Sequence, residues 1–146
     1  EGSAVMPEAW SPEWLEAQMR ACKEDAFFQE ESAANNRSYT VHILADPDNG
    51  VAEDYWWGFH VPSMEKSFIG KENAWETDYF MEGTYADWHA VNEGKKGLVA
   101  SLLDQSISLI RGSTSYLAMF VPAVERFFAL SRENSDRYAG NYQKVS

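Results

Sequence analysis

Three histidines and a single cysteine are the residues of this sequence most suited to chemistry, and their spacing argues against most of it. His42, His60 and His89 have no second histidine or cysteine at metal-ligand spacing, so no metal site is expected. His42 falls in a strand opposite its apolar set. His89 follows Trp88 on a helix whose buried face is already taken. His60 is the one candidate base, because it sits at a strand end among Trp56, Trp57 and Phe59. Desolvation there would shift its pKa, with Tyr55 or Asp54 as helper. The adjacent acids Glu53-Asp54 and Glu30-Glu31 point to different faces and make poor acid/base pairs. No nucleophile elbow, phosphate loop or dinucleotide fingerprint occurs, and no cofactor is expected. The run Asn92 to Gly97 has two glycines and two lysines but not a phosphate loop's spacing, and reads as a solvated turn. The residues lean away from an enzyme. A cofactor-free cyclase or isomerase working on an apolar substrate is kept as the alternative.

Charge narrows the partners. The formal net charge is −11, from 23 acids against 12 bases. Phosphate repulsion makes nucleic acid an unsuitable partner, and an anionic bilayer surface is equally uninviting. No apolar run approaches about twenty residues, so stable membrane insertion is not expected. Cys22, alone, cannot form an internal disulfide and gives no sign of an oxidising compartment. Glu1 to Ala4 shows no basic-then-apolar pattern, and Lys144-Val145-Ser146 is not a peroxisomal address. The expectation is one cytoplasmic domain over 1–146. Aromatics make up 14 % of the chain, which suits a compact core or the wall of a cavity.

The elements that must position these residues are legible in part. Ser11-Pro12-Glu13 is a helix start, and Leu15, Met19, Cys22 and Ala26 form a stripe over a helix expected at 11–34. The region 38–112 reads as a sheet with inserted helices. Tyr39, Val41 and Ile43 alternate with Thr40, His42 and Leu44. Asn49-Gly50 marks a hairpin returning near Glu53 to Val61, with Tyr55, Trp57, Phe59 and Val61 on one face. A third strand is expected at Glu65 to Gly70 and a fourth at Thr77 to Gly83. Thr84 caps a helix carrying Trp88 and Val91, which Gly94 ends. Leu98, Leu102 and Leu103 make a second short helix, followed by a strand at Gln105 to Arg111. Alternation turns Ile107 and Leu109 of that strand inward. A closing helix is expected over 114–131, with Met119, Phe120, Val124 and Phe127 on its apolar face and Ser113 or Ser115 as cap. Pro122 either kinks this helix or starts it. Residues 132–146 are expected to form a loose tail, or one docked by its two tyrosines, Tyr138 and Tyr142.

The order Asp78, Gly83-Thr84, Tyr85-Ala86-Asp87-Trp88, Gly94-Lys95, Leu98 to Leu103, Ser106 to Gly112 and Tyr116 to Phe128 resembles the sterol carrier protein type-2 family. The resemblance covers about fifty residues well and the earlier strands by pattern only. It implies an α+β fold: about five mainly antiparallel strands roofed by helices around an apolar lipid-binding tunnel. Counting back from the family's glycine, here Gly112, makes Ser108 and Ile110 the inward pair instead.

The positive signal is apolar excess. Trp57, Phe59, Phe68, Tyr79, Met81, Trp88, Leu102, Ile110, Met119, Phe120, Val124 and Phe127 are the candidate ligand-binding residues. If they point between sheet and helices, they either fill a core or wall a cavity, and the resemblance favours the cavity. The expected partner is a hydrophobic small molecule: a fatty acid, acyl-CoA, sterol or polyketide-like compound. A third reading is an accessory interaction domain anchored by exposed Trp10, Trp14 and Trp56, with a homodimer as the protein–protein option.

Overall fold

The computed structural model describes residues 6–146; Glu1 to Ala4, with its missing signal pattern, lies outside the described residues. Five strands form one mixed, open sheet in the order β3-β2-β1-β4-β5. They are β1 (Arg37–Leu44), β2 (Tyr55–Val61), β3 (Phe68–Ile69), β4 (Tyr79–Thr84) and β5 (Ile107–Arg111). β1 lies at the centre, antiparallel to β2 and parallel to β4. That position explains why both of its faces are buried from Ser38 to Ile43.

Register decides what each face carries. Tyr39 stands opposite Phe59 and Tyr79, and Val41 opposite Trp57 and Met81. These residues make the face that the helices cover. The far face carries Thr40, His42, Trp56, Gly58 and Phe80. The turn between β1 and β2 is longer than a two-residue hairpin. A 3₁₀ turn at Pro47–Asn49 ends in left-handed Gly50, and Asp46 pairs with Val51.

Among the described residues six helices run α1 (Pro12–Glu24), α2 (Ala26–Ser32), α3 (Tyr85–Asn92), α4 (Leu98–Leu103), α5 (Thr114–Ala118) and α6 (Val121–Glu133). The single helix expected at 11–34 is broken at Asp25. That residue leaves helical geometry, ends α1 and caps α2 by accepting from Phe28 N at 2.8 Å. Its carboxylate also receives Arg126 Nε at 3.0 Å and Nη2 at 2.6 Å from α6. These hydrogen bonds, chiefly Arg126's, hold the Asp25 carboxyl below the usual range. Asp25→Ala is expected to cost about 2 kcal/mol, from a lost cap and lost charge-assisted bonds. Asp25→Asn, which can still cap, should cost about half. Because the folded-state pKa is depressed, this contribution is present above about pH 4 and lost as pH falls through the folded value. Urea denaturation of both variants from pH 7 to pH 3 checks it. A cost that stays constant across that range would be the wrong result.

Other expectations need correction. β3 is only two residues long, because Met64 and Lys66 take positive φ and bend the chain out of extension. The closing helix is two helices: Ser113 caps α5, and Pro122 lies in the first turn of α6, the starting role it tolerates. Of the two expectations for the tail after α6, the structure has the docked one. Tyr138 is buried, and the Tyr142 hydroxyl donates to Asp46 at 2.6 Å. The Glu93 carboxylate accepts from the backbone N–H groups of Val145 and Ser146 at 2.9 and 3.1 Å. Leu103, expected inward, is 70 % exposed. Cys22 is fully buried, and burial pushes its thiol up to about 12. No helix among the described residues is long and apolar enough to cross a membrane.

Candidate functional site

The centre of the helix-covered face holds an apolar cavity of about 60 Å³. Its sheet wall is Tyr39, Val41, Trp57, Phe59, Val61 and Met81. Its helical wall comes from Phe28 and Ser32 of α2, Trp88 of α3, Leu98 of α4, Leu117 of α5, and Ala123, Val124, Phe127 and Phe128 of α6. Asn35 and Phe120 complete it. Alternation on β1, β2 and β4 supplies the sheet side, and the spacing Phe120, Val124, Phe127 supplies one helical stripe.

Aromatic contacts make the wall firm on one side. Phe127 stacks on Phe59 at 5.2 Å and on Trp57 at 6.3 Å, while Trp14 meets Trp57 edge-on at 4.9 Å. Behind it, a buried polar chain locks the far half of α6. Trp14 Nε1 donates to Ser131, Ser131 donates to Asn92, Asn92 donates to the Tyr138 hydroxyl, and that hydroxyl donates to Glu93. Gln18 adds a donation to the Phe127 carbonyl at 2.9 Å. The near half of α6 is tied by Arg126 to Asp25, and α5 has a lighter hold: Tyr116 donates to the Asn35 carbonyl at 2.7 Å, and the Ser113 carbonyl accepts from Tyr79 at 2.7 Å.

The cavity carries no charged side chain. Among the described residues, four buried polar atoms lack a partner, and three belong to its wall: Ser32 Oγ, Trp57 Nε1 and Trp88 Nε1. Trp88 Nε1 lies 3.1 Å from the place a Cβ on Gly83 would occupy, so this indole edge rests on bare backbone. Orphaned donors are rare in folded cores.

Of the candidate binding residues, Trp57, Phe59, Met81, Trp88, Phe120, Val124 and Phe127 line the cavity. Tyr79 and Leu102 are buried in the same core without reaching it; Tyr79 stacks on Tyr39 at 4.7 Å instead. Three others are placed elsewhere. Phe68 faces away on the far side, its ring covering Gly58. Ile110 is 55 % exposed and Met119 72 % exposed. The Ile110 result follows from the register: Met81, on the helix-covered face, pairs with Leu109 and Gly83 with Ile107, and the irregularity falls beyond them, between Phe80 and Met81. Simple alternation from Ile107 therefore holds, and Ser108 and Ile110 point outward. Met119 lies in the break between α5 and α6, off the stripe of either helix.

The histidine candidate does not assemble. His60 bonds Ser63 and Asn36 at the exposed sheet end, 2.7 and 2.9 Å away. Asp54 instead meets His42 Nε2 at 2.7 Å, while Glu82 meets Nδ1 at 3.0 Å. Tyr55 donates to Glu8. The His42 cluster, stacked on Trp56 at 3.9 Å, escaped sequence reading because it needs the parallel pairing of β1 with β4. It lies on the far face, away from the cavity. Trp10 and Trp14, expected as exposed anchors, are fully buried, and Trp56 is half-buried. No group of three His, Cys, Asp or Glu residues among the described residues could hold a metal ion.

No family model matches the sequence, and no curated protein matches it. Solved structures do match the fold. A crystal structure of sterol carrier protein 2 superposes with a TM-score of 0.76 at 20 % identity, covering 88 % of this chain and 100 % of that one. A Thermus thermophilus protein described as possibly a sterol carrier protein gives 0.75 at 18 % identity, covering 91 % and 96 %. The palmitated sterol carrier protein 2-like 2 of Aedes aegypti gives 0.53 at 14 % identity, covering 78 % and 94 %. Over most of its length the chain has the α+β fold of sterol carrier protein 2.

Proposed function

We propose that this protein binds a long hydrophobic small molecule between its sheet and helices and carries it without covalent chemistry. The observation that carries this reading is the charge-free, aromatic-rich wall around a void at the centre of the core, on the side covered by α5 and α6. The palmitated relative of the same fold supports the ligand class.

The cavity at about 60 Å³ has room for a water or two, far below the roughly 300 Å³ at which ligand pockets begin. Binding therefore requires the roof to move. The driving force is large: burying a fourteen-carbon tail is worth roughly 10 kcal/mol, at about 0.8 kcal/mol per CH₂. The lightly held α5 and the break between α5 and α6 are the parts to yield, since α6 is tied by Arg126 to Asp25 and by the Trp14–Ser131–Asn92 chain.

Titration with a fluorescent fatty acid tests the proposal. Saturable binding at micromolar concentration is expected, with slower amide exchange over 114–121 when ligand is present. Met119→Asp should leave binding intact, because that side chain is exposed. Absence of saturable binding to fatty acids, acyl-CoA and sterols alike would remove the reading.

A further inference from the structure

A second depression, a surface groove of about 480 Å³, lies against the cavity and shares three wall residues with it: Leu98, Val124 and Phe128. Those three side chains belong to both walls. We infer that this groove seats an acidic headgroup, so that the ligand is an amphipathic anion with its tail in the cavity; this rests on the proposed function.

The charge pattern points that way. In a chain of formal net charge −11, the groove is lined by Lys96, Arg126 and Arg132 against one acid, Glu125. Two of these cations are already matched, Arg126 by Asp25 and Lys96 by Asp104. Arg132 is different. Among the described residues no carboxylate pairs with it, and its side-chain hydrogen bonding is a single donation from Nη1 to the Asn92 carbonyl at 2.9 Å. The remaining N–H groups of a half-buried, planar guanidinium are left to take two oxygens of one acid group.

Backbone shape makes the room. The guanidinium packs over Gly94, where an added Cβ would come within 3.1 Å of Nη1. At Gly97 a Cβ would meet nothing within 4 Å, so the groove is open there. Phe27, half exposed, and Pro122 give an apolar floor for the first methylenes.

The cavity itself forces the division. It offers no charged partner, and an unpaired carboxylate or phosphate cannot be buried there without protonating. An anionic head must stay outside while its chain passes Leu98, Val124 and Phe128. Arg132 lines the same groove as those three residues.

Competition against a bound fluorescent fatty acid separates the alternatives, using dodecanoate, dodecyl phosphate and dodecanol. At least one anion is expected to bind about tenfold or more tightly than the alcohol, a difference of one bidentate charge-assisted pair. The better anion identifies the head as carboxylate or phosphate. Arg132→Gln should bring the anion-to-alcohol ratio toward one. Gly97→Asp provides a variant secure in folding, since φ −73° and ψ 151° suit any residue and aspartate is a favoured cap for α4. It should lower the ratio further than Gly97→Asn, which has the same shape without the charge. If the alcohol binds as well as both anions, or if Gly97→Asp and Gly97→Asn act alike, the headgroup site is wrong and the carrier reading stands. If none of the three amphiphiles competes, both fall together.

Discussion

Gly58→Ala is expected to destabilise the protein by at least about 3 kcal/mol, a lowering of Tm of roughly 10 °C for a chain of this length. Gly58 sits mid-strand in β2, opposite Thr40 of β1 and Phe68 of β3. A Cβ there would overlap the Tyr39 carbonyl oxygen and fall 2.7 Å from Phe68 Cζ. The ring could rotate away, but the carbonyl belongs to the central strand and cannot. Relief would require β1 and β2 to part along a ladder that runs from Arg37–Val61 to Ile43–Tyr55. The Phe68 ring lies over the bare glycine and fills the place of the absent side chain, as cross-strand aromatics do. Urea denaturation of Gly58→Ala and Phe68→Ala should show the first as the more damaging. A cost below about 1 kcal/mol for Gly58→Ala would mean the strands are not this close.

The second large effect is on entry. Val124→Trp should weaken binding of a long-chain fatty acid by about tenfold or more, with Tm nearly unchanged. Val124 is half-buried and shared by cavity and groove, so an indole there has space on the groove side to occupy while closing the passage. Val124→Ala opens the same passage and should speed association, at a stability cost of about 1 kcal/mol from lost apolar contact. Stopped-flow association and equilibrium titration of both variants give the measurement. Opposite shifts in rate support the shared wall as the entry route. Equal association rates in the two variants would place entry elsewhere, beneath α5. Phe120 is a poorer choice than Val124, because it is buried at the start of α6 and its loss would damage the fold as well.

These variants also separate two kinds of aromatic residue that look alike in the chain. Trp57, Phe59 and Phe127 are cavity wall, whereas Phe68 and Phe80 lie on the far face. Arg111 lies over the Phe80 ring at 5.6 Å and Lys71 lies over Trp56 at 5.8 Å, which covers part of that face with cations. Composition counts all of them equally, and only register assigns a side.

Local features were set by the sequence itself. Ser11, Ser113 and Thr84 cap their helices, and Gly94 ends α3 at φ 77°, because a cap needs only its own residue and the next turn. Alternation in Tyr39–Ile43 and Tyr55–Val61 yielded two strands and their buried faces, since the pleat has period two wherever a strand lies. The order of motifs after Asp78 was enough to anticipate the fold. Tertiary structure decided the rest. Asp25 breaks a continuous apolar stripe because Arg126, 101 residues away, binds its carboxylate. Two counts along β5 disagreed about its inward pair, and the pairing of Met81 with Leu109 and of Gly83 with Ile107 decided for Ile107 and Leu109. Trp10 and Trp14 are buried because the tail and α6 close over them, through Tyr138 at 5.6 Å and Ser131 at 3.1 Å. Whether the apolar residues filled a core or walled a cavity depended on the spacing between sheet and helices. That spacing is a sum over side chains far apart in the chain, so the place of Arg132 in the groove beside the cavity was visible only once the helices were in place.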